Sequence, residues 1–534
     1  MNGFWTDAAV REALGGGAER RHVRAGARAR AGAGEQPGTG AAVAPRGTGT
    51  GSGAVAHALT HGKGRGTPPS PSPSPSPSPY FTAVATDTRT LTEGALFVAL
   101  RGERFDAHEF LGEAAAKGAR GAVVDRVPDG APEDLVYYVV PDTLVALGRL
   151  ARHYRVHLGA RVCAIVGSNG KTTTKELARV VLETRYRVHA TKGNLNNRIG
   201  VPLTVLAAPA ETEALVVEAG TNIPGEIAEL ATILEPDAVI ITGIAEEHLE
   251  GLGDLEGVLR EETSMLPALR PEGFALVADD PAVLVERARE LAPRVAVAGW
   301  TERADPQFRA ESLALDEAGR ARFYWRGHEV RLSLHGRPNA RNALLALGLG
   351  AEWGVDEAAA AAAVATVAPA AMRAEIRRVG GLTVIVDCYN ANPASVAAAV
   401  DLLISLPRGG GRVAVLGTMR ELGSGSAELH RRTAEAVSAA AVDLIVATGE
   451  FVAAFEPLAD SLGARLVREE DPLDAYPLLA RRLTGEEVVL LKGSRGVALE
   501  RLLPHLEADW ADSMPIREVE TRRRRDDAGP TTGA

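Results

Sequence analysis

Cysteine is almost missing from this chain of 534 residues: there are two, Cys163 and Cys388, each inside an apolar run. Two thiols cannot organise a disulfide framework, so each reads as a buried core residue. No apolar run reaches the roughly 20 residues that cross a bilayer, which argues against a membrane span. An excess of basic charge is missing too. The net charge is −10, so nothing in the overall balance points to a nucleic-acid partner. The opening, MNGFWTDAAVREALGG, lacks the basic-then-apolar order of a secretory leader. These absences leave the cytoplasm as the default expectation, and a monomer is the expected state.

The apolar fraction is 46 %, enough for packed cores. The length suggests two to four domains. WTDAAVREALGG reads as a short amphipathic helix with a glycine stop. Residues 17–79 then collapse into Gly, Ala, Arg, Thr, Ser and Pro, ending in PSPSPSPSPSP. Such a stretch buries too little apolar surface to offset its ordering entropy and is expected to be a disordered insert. Residues 516–534 are read as a tail of the same kind.

Between insert and tail, short apolar runs alternate with helical stretches, the pattern of an α/β protein. ALFVAL, GAVVD and VYYVV mark a small α/β domain over 80–157, to which residues 1–16 add a helix. RVCAIVG, ALVVEAG and DAVIITG mark a central domain over 158–367 with a mostly parallel sheet. TVIVDCYN, RVAVLGT, DLIVATG and EVVLLKG mark a doubly wound, Rossmann-like domain over 368–515. Each run ends in a polar or glycine turn, where such sheets place their ligands.

The sharpest signal is AIVGSNGKTTTKE, Ala164 to Glu176. It follows a strand and opens a helix, so Gly167, Ser168, Asn169, Gly170, Lys171, Thr172 and Thr173 lie where backbone N–H groups face an anion. Lys171 can reach outer phosphates and the Thr172 hydroxyl can meet Mg²⁺. A glycine-rich turn before a capped helix is the plainer alternative, and the strand–loop–helix order favours nucleotide. The general hydrolase loop carries a glycine where Ile165 stands, so this is a shorter variant.

That variant resembles the phosphate loop of the Mur ligases, amide-forming enzymes of bacterial cell-wall precursor synthesis. TKGNLNNRIGVPLTVL, TDTRTLTEGALFVALRGERFDAHEF, DCYNANPASV, AVLGTMRELG and LLKGSRG resemble, in order, motifs of the branch that adds D-alanyl-D-alanine to UDP-N-acetylmuramoyl-tripeptide. The resemblance runs from Tyr80 to about Leu503. It implies a three-domain enzyme using ATP and Mg²⁺: a peptide carboxylate is phosphorylated by ATP, and an amine then displaces phosphate.

The resemblance also implies roles. Glu218, ending the strand run ALVVE, is expected to hold Mg²⁺ beside Thr172; an ordinary strand-end carboxylate is the alternative. His248 is expected to help hold a second Mg²⁺, although on residues alone it reads as a helix-cap or surface histidine. Fourteen residues further on the family has a carbamylated lysine; this chain has Glu262. Two readings are open: Glu262 supplies the carbamate's negative charge directly, or the second cation site has decayed. Glu261 points about a quarter-turn away and is the poorer stand-in.

Asn339 and Asn342, in GRPNARNALLALG, resemble adenine contacts, with Pro338 where the family has a histidine. Arg373 is expected to reach the ATP phosphates, and Asp387 the ribose or the metal. Tyr389, Asn390 and Asn392 line the same turn. Lys492, Ser494 and Arg495 offer an anion pocket for the acceptor. Thr88, Arg89, Arg101 and His108 are candidates for uridine diphosphate contacts, and Asn194, Asn196 and Asn197 for the sugar-peptide. Two other functions stay in play: a related ligase with another amino substrate, and a non-catalytic nucleotide-binding subunit.

Overall fold

The helix at the N-terminus and the domain that starts 65 residues later are one structural unit. In the computed structural model, which describes residues 4–15, 18–22, 80–407 and 409–511, the helix Asp7–Leu14 is capped by Thr6, whose hydroxyl accepts from the Ala9 N–H. Trp5 and Thr6 pair with Phe81 and Tyr80, so the chain re-enters beside the point where it left. Trp5 is fully buried. Residues 19–22 fall inside the expected insert, yet Glu19–His22 forms an antiparallel edge strand on Val136–Val139. The remainder of the expected insert, 23–79, and the expected tail lie outside the described residues.

The first domain is a five-stranded sheet. Glu19–His22, Val136–Val139, Gly121–Val124, Leu96–Val98 and Val84–Ala85 lie side by side, parallel after the first pair. The central sheet is six-stranded and wholly parallel, in the order Val295–Ala298, Phe274–Ala278, Ala238–Ile241, Arg161–Val166, Ala214–Glu218, Val188–Ala190. Its strands read as unbroken apolar runs because both faces are covered. Val162, Ala164 and Val166 join one core; Cys163 and Ile165 join the other. The first of these cores continues into the first domain through Leu147, Leu150 and Tyr154, so the two domains share buried surface. An antiparallel trio, Glu311–Leu315, Arg320–Trp325 and His328–His335, follows. The third domain has six strands, parallel except for the edge pair Glu375–Val379 and Leu382–Asp387.

Register sets up the site. Glu218 pairs level with Ile165, and Ile241 with Val166. The phosphate loop therefore leaves the sheet between two neighbouring strand ends at the same height. In the third domain Asp387 and Leu416 both pair with Lys492, which levels its three loops in the same way.

The N-terminal helix is held by a buried polar contact. The Tyr138 hydroxyl donates to Asp7 Oδ1 at 2.7 Å, and Arg20 and Arg11 lie 3.3 and 3.2 Å from the same carboxylate. Replacing Tyr138 by Phe removes one donor to a buried anion. We expect a loss of about 1–2 kcal/mol in unfolding free energy, read by denaturant titration; an unchanged midpoint would show that this contact contributes nothing.

Candidate functional site

A cavity of about 690 Å³ lies between the central and third domains. Its floor is the phosphate loop. Gly170, at φ +88°, ends the loop and precedes the helix Lys171–Glu183. A side chain there would meet the Asn342 amide, with Oδ1 2.4 Å from the added carbon. Only glycine allows both that backbone conformation and that approach.

The Lys171 ammonium folds back over the loop. It donates to the carbonyl oxygens of Gly167 and Ser168 and lies 3.5 Å from Glu247 Oε1. Burial opposes its charge, but Glu247, Glu262 and Glu218 together outweigh burial and hold its pKa above the ordinary value. One cation cannot satisfy three buried anions. Burial accordingly raises the Glu247 pKa against the pull of Lys171 and His248, and pushes Glu262 up to about 7 against the same lysine.

Glu218 stands at the strand end as expected. It accepts from the Thr172 hydroxyl at 3.2 Å and from Asn196 Nδ2 at 2.9 Å, and its Oε2 is buried without a partner. Glu247 Oε1 is the second buried oxygen in the cavity wall with no hydrogen-bond partner. Sequence reasoning passed over Glu247. Its signal was present, an acid directly before His248 in the loop after a buried strand, but Glu246 beside it looks identical.

Glu262 does not reach the cavity wall. Its helix, Leu255–Thr263, holds the carboxylate behind the phosphate loop, where Oε2 accepts from the Gly167 N–H at 2.7 Å. The structure thus places Glu262 behind the loop and not in the wall, where it was expected among the metal ligands: its two-methylene side chain ends at the Gly167 N–H, and Glu247, itself buried, is the acid in the wall. Glu261 turns away and accepts from the N–H groups of Gly225 and Ile227.

Of the other expected residues, Ser168, Asn169, Asn194, Asn196, Asn197, His248, Arg373, Tyr389, Asn390, Ser494 and Arg495 line the cavity. The Arg373 and Arg495 guanidiniums lie 4.0 and 5.4 Å from the centre of the Tyr389 ring. Asn392 exchanges two amide hydrogen bonds with Asn169, 3.1 and 3.3 Å, joining the third domain to the phosphate loop. Asn342 donates to Asn339 Oδ1, and Asn339 to the His335 carbonyl. Thr173, at the helix start, is half-buried. Lys492 is buried away from the wall, 3.1 Å from Asp387, so it holds the strand ends together and is not available as an acceptor-binding cation.

The first-domain set is separate; none of it lines this cavity. Thr88 is buried and its carbonyl accepts from Lys117. Arg89 is paired with Asp87 at 2.6 Å, and Arg101 is largely exposed, 3.9 Å from Asp106. His108 is buried with both nitrogens engaged, by Asp106 Oδ1 at 2.6 Å and by the Asp125 N–H at 3.2 Å. It shapes the loop and has no nitrogen left for a ligand, which corrects that expectation.

Two strand-end clusters face one cavity from two domains, one of them a glycine-rich loop at a helix start, the arrangement of α/β proteins that bind ligands between domains. The Mur ligase middle-domain model matches residues 165–350, and the Mur ligase glutamate ligase domain matches 372–495. The UDP-N-acetylmuramoyl-tripeptide--D-alanyl-D-alanine ligases of Bacillus subtilis and Escherichia coli are each 35 % identical. These alignments cover 79 and 80 % of this chain and 92 and 93 % of the relatives. Among solved structures, MurF from Acinetobacter baumannii has a TM-score of 0.73 at 30 % identity, over 81 % of this chain and 94 % of its own. MurF from Thermotoga maritima, in complex with ADP, has a TM-score of 0.69 at 27 % identity, over 80 and 97 %. The chain belongs to the Mur ligase family.

Two outcomes follow. Gly170→Ala puts an L side chain in the left-handed region and against the Asn342 amide, so the free loop should relax out of this conformation; re-forming it to bind nucleotide would cost ~1–2 kcal/mol, about tenfold in affinity. ADP binding by calorimetry should weaken by at least that much with circular dichroism unchanged. Glu262 gives a pH signature. Between its unfolded value of 4.5 and its folded value of about 7, the native state binds more protons than the unfolded chain. Stability from this group therefore falls as pH rises through that window and is level above it. Glu262→Gln should melt above the wild type at pH 8, with the gap closing toward pH 4.5; a gap independent of pH would contradict the assignment.

Proposed function

We propose that this chain joins D-alanyl-D-alanine to UDP-N-acetylmuramoyl-tripeptide, an ATP-dependent step of peptidoglycan precursor synthesis that passes through an acyl phosphate. The observation that carries it is the 35 % identity, over more than nine-tenths of their length, to curated ligases bearing that name. The phosphate loop with Lys171 supports it, facing Arg373, Tyr389 and Arg495 across one cavity.

In this reading Lys171 leaves its loop carbonyls to hold the outer phosphates of ATP. Gly167, Ser168, Asn169, Gly170, Thr172 and Thr173 surround the phosphates through backbone and hydroxyl groups. Arg373 reaches over them from the third domain, and Asn339 and Asn342 frame the base. Asn194, Asn196 and Asn197 hold the peptide end of the donor, whose uridine end lies at Thr88, Arg89 and Arg101. The acceptor carboxylate is met by Arg495 and Ser494, with Tyr389 and Asn390 beside it. Closure excludes water from the acyl phosphate, so that the amine is its partner in attack.

The chain's donors fit Mg²⁺. Glu218 Oε2 and Glu247 Oε1 are buried oxygens without hydrogen-bond partners, the second with only the Lys171 ammonium 3.5 Å away, and hard oxygen is what this ion takes. Among the described residues no three acidic, histidine or cysteine side chains already converge as a metal cage, which suits an ion that keeps waters and phosphate oxygens. Thr172, Glu218, Glu247 and His248 would hold it. Bound there, it would offset the repulsion between a carboxylate and a triphosphate.

Among the described residues no helix is long and apolar enough to cross a membrane, and we take the cytoplasm as the site of action and the monomer as the working unit. ADP release tests the whole reading. It should require both the tripeptide donor and D-alanyl-D-alanine. Release with another amine, and none with D-alanyl-D-alanine, would assign a different ligase; no release with any amine would leave a binding subunit.

A further inference from the structure

One loop of the third domain reaches the wall of the nucleotide cavity and touches His248. The Glu250 N–H donates to the Glu421 carbonyl at 3.1 Å. Gly423 lies so close that an added side-chain carbon would stand 3.1 Å from Glu250 Cα. Glu421 and His248 are both non-glycine residues in the left-handed region, at φ 66° and 52°. Such positions are strained and persist only where the surroundings hold them. Here they hold two side chains against each other: Glu421 Oε2 contacts His248 Nδ1.

That contact settles which ring nitrogen is free. A carboxylate only accepts, so Nδ1 carries the proton and donates. In the neutral ring Nε2 is then the lone-pair nitrogen, 3.9 Å from Glu247 Oε2, on the wall where Glu247 Oε1 has no hydrogen-bond partner. A carboxylate behind a histidine commonly orients it toward a metal. We propose that Glu421 is a positioning residue: reaching across from the third domain, it presents His248 Nε2 to the divalent cation that accompanies the nucleotide. The cation site is then complete only when the third domain is docked. This rests on the reading of His248 as a cation ligand given above.

A plain latch between domains would also pair these groups, and the test separates the two. Mn²⁺ is the probe, bound to the full chain with a non-hydrolysable ATP analogue. Electron spin-echo modulation by ¹⁴N reports an imidazole bonded to the ion, and His248→Ala identifies the signal. In Glu421→Ala the ¹⁴N modulation should be lost and Mn²⁺ affinity should fall about tenfold to hundredfold. Glu421→Gln keeps an oxygen for the Nδ1 proton without the charge, and should retain the signal. Glu421 is half-exposed, so the Ala variant should fold; Glu421→Gly, which accepts the backbone conformation freely, gives the same reading if it does not. A wild type without ¹⁴N modulation overturns the ligand reading of His248 and this proposal with it. Modulation persisting in the Ala and Gly variants overturns the proposal alone, as does its loss in Gln to the same extent as in Ala.

Discussion

The cavity is organised around one buried ammonium. Lys171 is enclosed by Glu247, Glu262 and Glu218, and it feels one further cation, Arg373, as a repulsion. Three buried carboxyl groups around one ammonium are more than it can pair. Two carboxylate oxygens consequently remain without hydrogen-bond partners, and burial pulls Glu247 and Glu262 toward the neutral form. A triphosphate entering this cavity adds more negative charge to the same few ångströms. Under the ligase reading, it can do so only with divalent cations that take up the orphaned oxygens and release Lys171 to the phosphates. A metal requirement would then have an electrostatic origin in the loop as well as a chemical one in the reaction.

The fold supplies this charge cluster from strand ends. The loop, Glu218 and the segment carrying Glu247 and His248 leave three neighbouring strands at one level. The third domain presents its own levelled edge, with Asp387 and Lys492 paired, and meets the first edge through Asn169–Asn392 and His248–Glu421. Both contacts end on residues of the nucleotide side. Asn169, His248 and Glu421 both join the domains and line the cavity, so the contact between the domains and the shape of the site are tied together.

The parts of this that were legible in the sequence share a physical basis. Strands buried on both faces have to be apolar throughout, so VCAIV, ALVV and AVII stand out without any periodicity analysis. The N-terminal helix was legible from Thr6 and Gly15, which cap it. The strand Glu19–His22 was not, because its residues, ERRH, are all polar. It is an edge strand held by backbone bonds to Val136–Val139 and by Arg20 against Asp7, and partners 114 to 120 residues away leave no mark on local composition. Glu247 failed to stand out for a related reason. In EEH, two carboxylates are chemically the same; only the fold buries Glu247 against Lys171 and turns Glu246 toward Arg432.

Glu262 shows the limit of arguing from charge alone. Keeping the sign of a charge at a given place in the sequence does not keep its place in the site. A carboxylate on two methylenes stops at the Gly167 N–H, so it acts on the phosphate loop from behind, where a longer side chain could have reached the cavity. The negative charge is still felt by Lys171, through which the loop and its lysine are held in their present geometry. The direct contact with the cavity passes to Glu247, one residue before His248, and this makes the histidine's orientation, and hence the third domain's grip on it, the element on which the second half of the anion site depends.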